Sequence, residues 1–326
     1  MAKKQLGTGI AAFGGMLVLI LDGRTALEGA KQGVELCIRT VVPSLFPFFL
    51  LSILVTGVFM GEKLPFLRFF GRAFRIPQGA ESLLIPAFLG GYPVGAQCIA
   101  QAVRRGQLDR RTGERMLAFC SNAGPAFLFG MVAGLFPRSG IVWGIWGILI
   151  LSAGLTAYVF PTDKAKAEIL LQEPISLSSA MVSAVKVMAS VCGWVVFFRV
   201  IIAFLSRWML WLFPAPVQVA VAGLLELSNG CLALSAVADI PLRFVLCVGM
   251  LAFGGICVTM QTVSVANGLS LKYYFLGKLI QTAFSLALAA AIAYGFWVPI
   301  AVFPLIFLLK GIKKEKSSSN RSLLGV

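Results

Sequence analysis

The chain has 326 residues, of which 59% are hydrophobic and 13% charged, and its mean hydropathy is +0.91. Such a sequence cannot cover its apolar surface in water, so a soluble globule is excluded and a polytopic membrane protein follows. The formal net charge of +15 would point to nucleic acid in a soluble protein, but here Lys and Arg fall in short loops between apolar runs, where they set topology. The expected partner is the lipid bilayer, not nucleic acid. Seven Cys lie in or beside apolar segments without CxxC or metal-ligand spacing and read as packing residues. The chain has no His, which removes His-based catalysis, haem ligation by His and HExxH-type zinc chemistry; neither an enzyme nor a metal or cofactor site is expected.

In chain order, the first apolar run, about residues 6–21, follows Lys3 and Lys4. Asp22 and Arg24 beyond it make a poor signal-peptide cleavage region, so residues 1–22 are expected to remain as an N-terminal transmembrane helix. Between Arg24 and Val41, Leu27, Ala30, Val34, Cys37 and Val41 share one helical face and Glu28, Lys31, Glu35 and Arg39 the other, the pattern of a helix lying at the interface. Pro43-Ser44-Leu45-Phe46-Pro47-Phe48-Phe49 opens the next span, to about residue 60. Leu67, Phe70 and Phe74 against Arg68, Arg72 and Arg75 predict a second surface helix.

Residues 81–103 are apolar and long enough to cross, yet basic on both flanks: Lys63, Arg68, Arg72 and Arg75 precede them, and Arg104, Arg105, Arg110, Arg111 and Arg115 follow. Crossing would leave one cluster outside, against the positive-inside rule; a re-entrant hairpin turning at Gly90-Gly91-Tyr92-Pro93 keeps both in the cytoplasm. A spanning helix kinked at these residues is the alternative. Further spans are expected at about residues 116–135, 141–160, 187–212, 244–265, 275–294 and 298–309, with a second hairpin at 217–239, which makes eight spans. On this topology six Lys and Arg lie outside, Arg199 is within the membrane, and the others of the 28 are cytoplasmic. Both termini, including a basic tail at 311–326, are then cytoplasmic.

Residues 23–165 and 176–295 read as two repeats, each with a span, a hairpin and two spans, and 296–310 as the last helix. Met-Leu-Ala-Phe occurs at 116–119 and again at 250–253, in the span after each hairpin. Both copies break immediately afterwards, at Cys120-Ser121-Asn122-Ala123-Gly124-Pro125 and at Gly254-Gly255-Ile256-Cys257-Val258-Thr259-Met260-Gln261-Thr262. The first hairpin has its ends inside and the second outside, so the repeats are inverted, an arrangement that supports alternating access around a central site. The expected fold is an all-α polytopic membrane protein with two inverted-topology repeats, about eight transmembrane helices and two re-entrant helical hairpins.

Backbone left bare at membrane depth survives only where it lines a cavity. Pro93 and Pro125 suit the first turn of a helix and Ser121 and Asn122 suit caps, leaving N–H groups that attract carboxylates. The candidate substrate-binding residues are therefore Gly90, Gly91, Tyr92, Pro93 and Gly95 at the first hairpin and Ser121, Asn122 and Gly124 at the first break. Glu226, Ser228, Asn229 and Gly230 are their counterparts at the second hairpin, with Gln261 and Thr262 at the second break. Taken singly, a small polar residue equally serves helix packing. Glu226 is the only carboxylate deep in an apolar segment; it accepts a proton, holds Na⁺, hydrogen-bonds substrate or is structural. Arg199, expected as the deepest cation and a further site residue, counters an anionic substrate, snorkels or pairs with Glu226.

Taken together, Pro43-Ser44-Leu45-Phe46-Pro47-Phe48-Phe49, Gly90-Gly91-Tyr92-Pro93-Val94-Gly95-Ala96, Phe119-Cys120-Ser121-Asn122-Ala123-Gly124-Pro125-Ala126-Phe127 and Gly223-Leu224-Leu225-Glu226-Leu227-Ser228-Asn229-Gly230 resemble the sporulation integral membrane protein YlbJ family, also called SpoVV. That family carries the gate, or nucleoside-recognition, domain and is similar in plan to concentrative nucleoside transporters. The resemblance covers about residues 40–265. It implies a carrier that moves dipicolinic acid out of the mother cell across the outer forespore membrane, with site motifs at 90–96, 121–125 and 226–230; it assigns nothing to Arg199. The gate domain also occurs in ferrous iron transporters and spore maturation proteins. Helix N-termini and Arg199 suit a small anionic substrate, whereas Glu226 argues the other way unless it is protonated or neutralised by a cation. The alternatives are a nucleoside or other small metabolite within transport, and a non-transporting sporulation scaffold outside it. H⁺ or Na⁺ would serve as coupling ion, no resident cofactor is expected, and a homo-oligomer is compatible with the sequence.

Overall fold

The computed structural model describes residues 2–62, 65–138, 140–160, 167, 169 and 175–295, and every regular element among them is helical. The last expected span, 296–310, and the tail, 311–326, lie outside the described residues. After α1 (Ala2–Leu21), α2 (Gly23–Leu36) runs through a π-helical turn at Cys37–Val41 straight into α3 (Val42–Phe59). The interfacial helix expected at 24–41 is thus corrected to the first part of one continuous helix, Gly23–Phe59, long and apolar enough to cross a membrane.

That helix is held along its length by α9 (Leu177–Trp208), which runs antiparallel to it. Asp22 and Thr25 meet Arg207 near one end, Gln32 accepts a hydrogen bond from Arg199, Cys37 donates to the Cys192 carbonyl, and Gly57 packs on Ile175 near the other end. The close approach is set by Gly29 and Gly33. A methyl added to Gly29 would lie 2.9 Å from Ala203 Cβ, and one on Gly33 would lie 2.9 Å from Val196 Cα. Small residues four apart let two backbones close up in lipid, where the hydrophobic effect gives helices no reason to associate. Leu27 and Val34, expected on the buried face, are exposed.

The chain continues with α4 (Pro65–Ala73), the expected surface helix, which buries Leu67 and exposes Arg68 and Arg72; Phe70 is exposed as well. The first hairpin has short turns at Glu81–Leu83 and Pro86–Gly90 as one arm and α5 (Val94–Arg104) as the other. There follow α6 (Arg110–Met116), α7 (Pro125–Phe127) and α8 (Ile141–Val159), and then, after α9, α10 (Ala215–Leu225), α11 (Leu227–Ala233), α12 (Ile240–Phe253), α13 (Gly255–Val265) and α14 (Lys272–Tyr294). The order long helix, helical hairpin, broken helix, long helix therefore occurs twice.

Among the described residues, five helices are long and apolar enough to cross a membrane: Gly23–Phe59, Ile141–Val159, Leu177–Trp208, Ile240–Val265 and Lys272–Tyr294. The segment 116–135 is not one helix. α6 stops at Met116, residues 117–124 run as turn and extended backbone, and α7 continues through a π turn at Leu128–Val132 and a 3₁₀ turn at Ala133–Leu135. Pro125 accounts for the restart, because it lacks the N–H that a helix interior needs and its fixed φ suits a first turn. Among the described residues, two buried apolar clusters join the halves: one brings Leu45 and Ile145 to Leu251, and the other brings Ile99, Met116 and Phe119 to Tyr274.

Candidate functional site

The first hairpin reverses at Gly91, whose φ of +71° is left-handed and natural only to glycine. Its arms press together, since a methyl on Gly95 would lie 2.9 Å from Ala87 Cα. In the second hairpin, Glu226 stands extended between α10 and α11, and Gly223 and Gly230 bring the two arms into backbone contact. Each tip then rests on the break that follows it in sequence. An added methyl on Gly91 would be 2.9 Å from the Gly124 nitrogen, and one on Gly255 would be 3.0 Å from the Gly223 carbonyl oxygen. The halves meet through Tyr92, whose hydroxyl donates 2.7 Å to the carbonyl of Leu251 in the last turn of α12, beside left-handed Gly254.

Where these four interruptions converge lies a cavity of about 50 Å³, lined from the first half by Gly90, Gly91, Tyr92 and Gly124 and from the second by Glu226, Ser228 and Gln261. Leu45, Phe49, Val191 and Val258 supply apolar wall. The volume holds a few water molecules and no more. Glu226, only 2% exposed, caps α11 with both oxygens. Oε1 accepts from the Ser228 N–H at 3.0 Å, and Oε2 accepts from the Asn229 N–H at 2.7 Å and from its side-chain amide at 2.8 Å. The three hydrogen bonds described at this group all come from N–H donors, which suit a carboxylate.

The other expected residues stand behind this lining. Pro93 and Gly95 shape the first hairpin, and Asn229 and Gly230 the second. Asn122 donates to the Phe119 carbonyl at 2.8 Å and accepts from Gln281 at 2.6 Å, so it braces the first break rather than facing the cavity. Ser121 and Thr262 are buried beside the Tyr274 hydroxyl, which also lies 3.5 Å from the Thr259 hydroxyl. Arg199 is set apart. It is half-buried on α9, bonded to Gln32 of α2, and is not among the residues lining the cavity.

Among the described residues the most buried cation is instead Lys278, which falls within the expected span 275–294 and is 2% exposed on α14. Its ammonium donates to the carbonyl of Ser121 in the first break, to the carbonyl of Ala252 at 3.1 Å just before the second, to the Tyr92 hydroxyl at 3.4 Å and to Gln281 Oε1 at 3.5 Å. It also lies 4.9 Å from the centroid of the Tyr92 ring, so one side chain separates it from the cavity. A signal for it exists in the sequence: Tyr274, Lys278, Gln281 and Ser285, spaced four, three and four apart, fall on one face of an otherwise apolar helix. All four are buried, and Ser285 donates to Ser152 of α8 at 2.7 Å.

The chain is 26% identical over 339 residues to the sporulation integral membrane protein YlbJ of Bacillus subtilis (strain 168), a match covering 86% of this chain and 80% of that protein. No family model matches the chain, and no solved structure matches it significantly.

Proposed function

As the chain belongs with the YlbJ family of sporulation integral membrane proteins, we propose that it is a carrier of a small organic anion. The proposed substrate is dipicolinate, exported from the mother cell across the outer forespore membrane by alternating access. The observation that carries the proposal is the convergence of both hairpin tips and both helix breaks on one cavity. A scaffold has no use for bare backbone at membrane depth, whereas a carrier builds its site from it. At about 50 Å³ the cavity is smaller than a pyridine ring with two carboxylates, so in this proposal substrate enters when the halves part. In this reading Lys278, behind Tyr92, offsets the negative charge of the Glu226 carboxylate that lines the cavity, which an anionic substrate requires.

In this proposal the two halves are inverted repeats, the hairpins are re-entrant, the eight expected spans stand, and both termini are cytoplasmic. Contacts at the helix ends support that topology. Arg104 reaches the Val265 carbonyl at 3.4 Å and the Ser270 N–H donates 2.8 Å to Glu114, all at ends assigned to the cytoplasm. Arg243 donates to the carbonyls of Val237 at 2.8 Å and Leu135 at 3.1 Å, both assigned outside, as are Asp22 and Arg207, which pair at 3.2 Å. A single Cys at Gln107 or Ala165 in a Cys-free background is expected to react from the cytoplasmic side only. Labelling of Gln107 from outside would remove the first re-entrant hairpin and with it the inversion.

The function is tested in proteoliposomes loaded with dipicolinate or uridine. The expected result is release of dipicolinate well above that of uridine, and release of neither would favour the scaffold. Arg199→Gln is expected to leave the ratio of the two substrates unchanged, because Arg199 faces Gln32. A selective loss for dicarboxylate would put Arg199 back in the site.

A further inference from the structure

Lys278 has a ligand shell of a particular kind. Its four partners are uncharged oxygens: two backbone carbonyls, a phenol hydroxyl and an amide oxygen. The two carbonyls come from opposite halves, Ser121 from the first break and Ala252 from the last turn before the second. The Ala252 carbonyl lies in the last turn of α12, where carbonyls carry the negative end of the helix dipole, and the Ser121 carbonyl belongs to unwound backbone beyond α6. Carriers with discontinuous helices use this donor set, unwound carbonyls and half-helix C-termini, to coordinate a free coupling cation such as Na⁺. Here an ammonium on a four-carbon tether already fills the place, anchored to α14 and stacked on the Tyr92 ring.

We propose that Lys278 is a built-in cation that occupies the position a dissociable Na⁺ would take, so that the protein holds its two breaks together without binding Na⁺. The proposal rests on the carrier reading for its transport consequence, but its structural consequence stands alone. A tethered donor costs no rebinding in each cycle and keeps the Ser121 and Ala252 carbonyls of the two halves bonded while the cavity is empty. Lys278→Ala removes the charge and opens a space lined by the same carbonyls, which a small alkali cation with a water molecule would then fill.

The test uses the full-length purified protein in detergent and in proteoliposomes, with NaCl or choline chloride as the only salt. Wild type is expected to melt at the same temperature in both salts, and Lys278→Ala to melt lower than wild type in choline and to recover with increasing Na⁺, as a ligand that binds only the folded state stabilises it. Lys278→Met, which fills the space with an apolar chain, is expected not to recover. A Na⁺-dependent melting temperature for wild type would overturn the proposal even if neither variant folds. Equal Na⁺ responses of Lys278→Ala and Lys278→Met would overturn it too. In proteoliposomes, dipicolinate flux through wild type is expected to be the same in NaCl and choline, and Na⁺-dependent flux would count against the built-in cation. Absence of any flux through wild type would instead defeat the carrier reading, leaving the melting experiment to decide on Lys278.

Discussion

Glu226→Gln is expected to abolish dipicolinate flux, or to cut it tenfold to a hundredfold, with the protein still inserted. Both oxygens of the native carboxylate accept N–H bonds, from Ser228 and Asn229. A glutamine retains one acceptor and must turn an NH₂ group toward a backbone N–H donor, so at least one charge-assisted bond is lost in a water-poor site. Such a bond contributes roughly 1.5 to 3 kcal/mol. The same group lines the cavity and shapes the hairpin, so its loss affects substrate contact and tip geometry together. Flux measured at matched protein density in liposomes decides the matter. A Glu226→Gln protein that transports like wild type would reduce Glu226 to a dispensable cap.

Gly91→Ala is expected to damage folding and flux together, and far more than the same substitution at Gly106. Both glycines have positive φ, +71° at Gly91 and +70° at Gly106, and Gly91, with ψ −167°, lies in a region that glycine alone populates, so its alanine variant carries backbone strain as well as a clash. Around Gly106 an added methyl meets nothing within 4 Å, whereas at Gly91 it meets the Gly124 nitrogen at 2.9 Å and Cα at 3.1 Å. Backbone cannot move aside as a side chain does, so the first hairpin tip must lift off the break. The difference in melting temperature between the variants reads that contact together with the backbone conformation particular to Gly91. Equal melting temperatures and equal flux would mean that the tip does not depend on its seat at Gly124.

The four interruptions were legible in the sequence because Gly, Pro and small polar residues stand out within apolar runs. The paired Met-Leu-Ala-Phe segments located the breaks in the two halves for the same reason. Two features were hidden by charge. The Gly29 and Gly33 pair lies among Glu28, Lys31 and Glu35, and the charged stripe suggested a helix on the membrane surface. Backbone contact with α9 outweighs it, leaving Glu28, Lys31 and Glu35 exposed on the far face. Lys278 follows Lys272 closely enough to pass as a flanking loop cation, and only the placement of Ser121 and Ala252 around it shows that it is enclosed. Its neighbours Tyr274, Gln281 and Ser285 were missed with it, because a polar face within one apolar helix is conspicuous only when counted by helical spacing. Arg199 misled in the opposite way: five apolar neighbours in sequence made it look central, while on the folded chain it points to Gln32 of α2.

The central claim is that substrate occupies the place where the breaks meet, and alkylation of a cysteine put there tests it most directly. Ala126 lines the cavity from the first half, next to Pro125 at the restart of the broken helix. With Ala126→Cys in a Cys-free background, a small thiol reagent reaches the new thiol only when the halves part. Dipicolinate is expected to slow that alkylation in proportion to its occupancy, uridine to leave it unchanged, and complete alkylation to stop dipicolinate flux. Flux that continues at the wild-type rate after full modification, with dipicolinate giving no protection, would contradict the account.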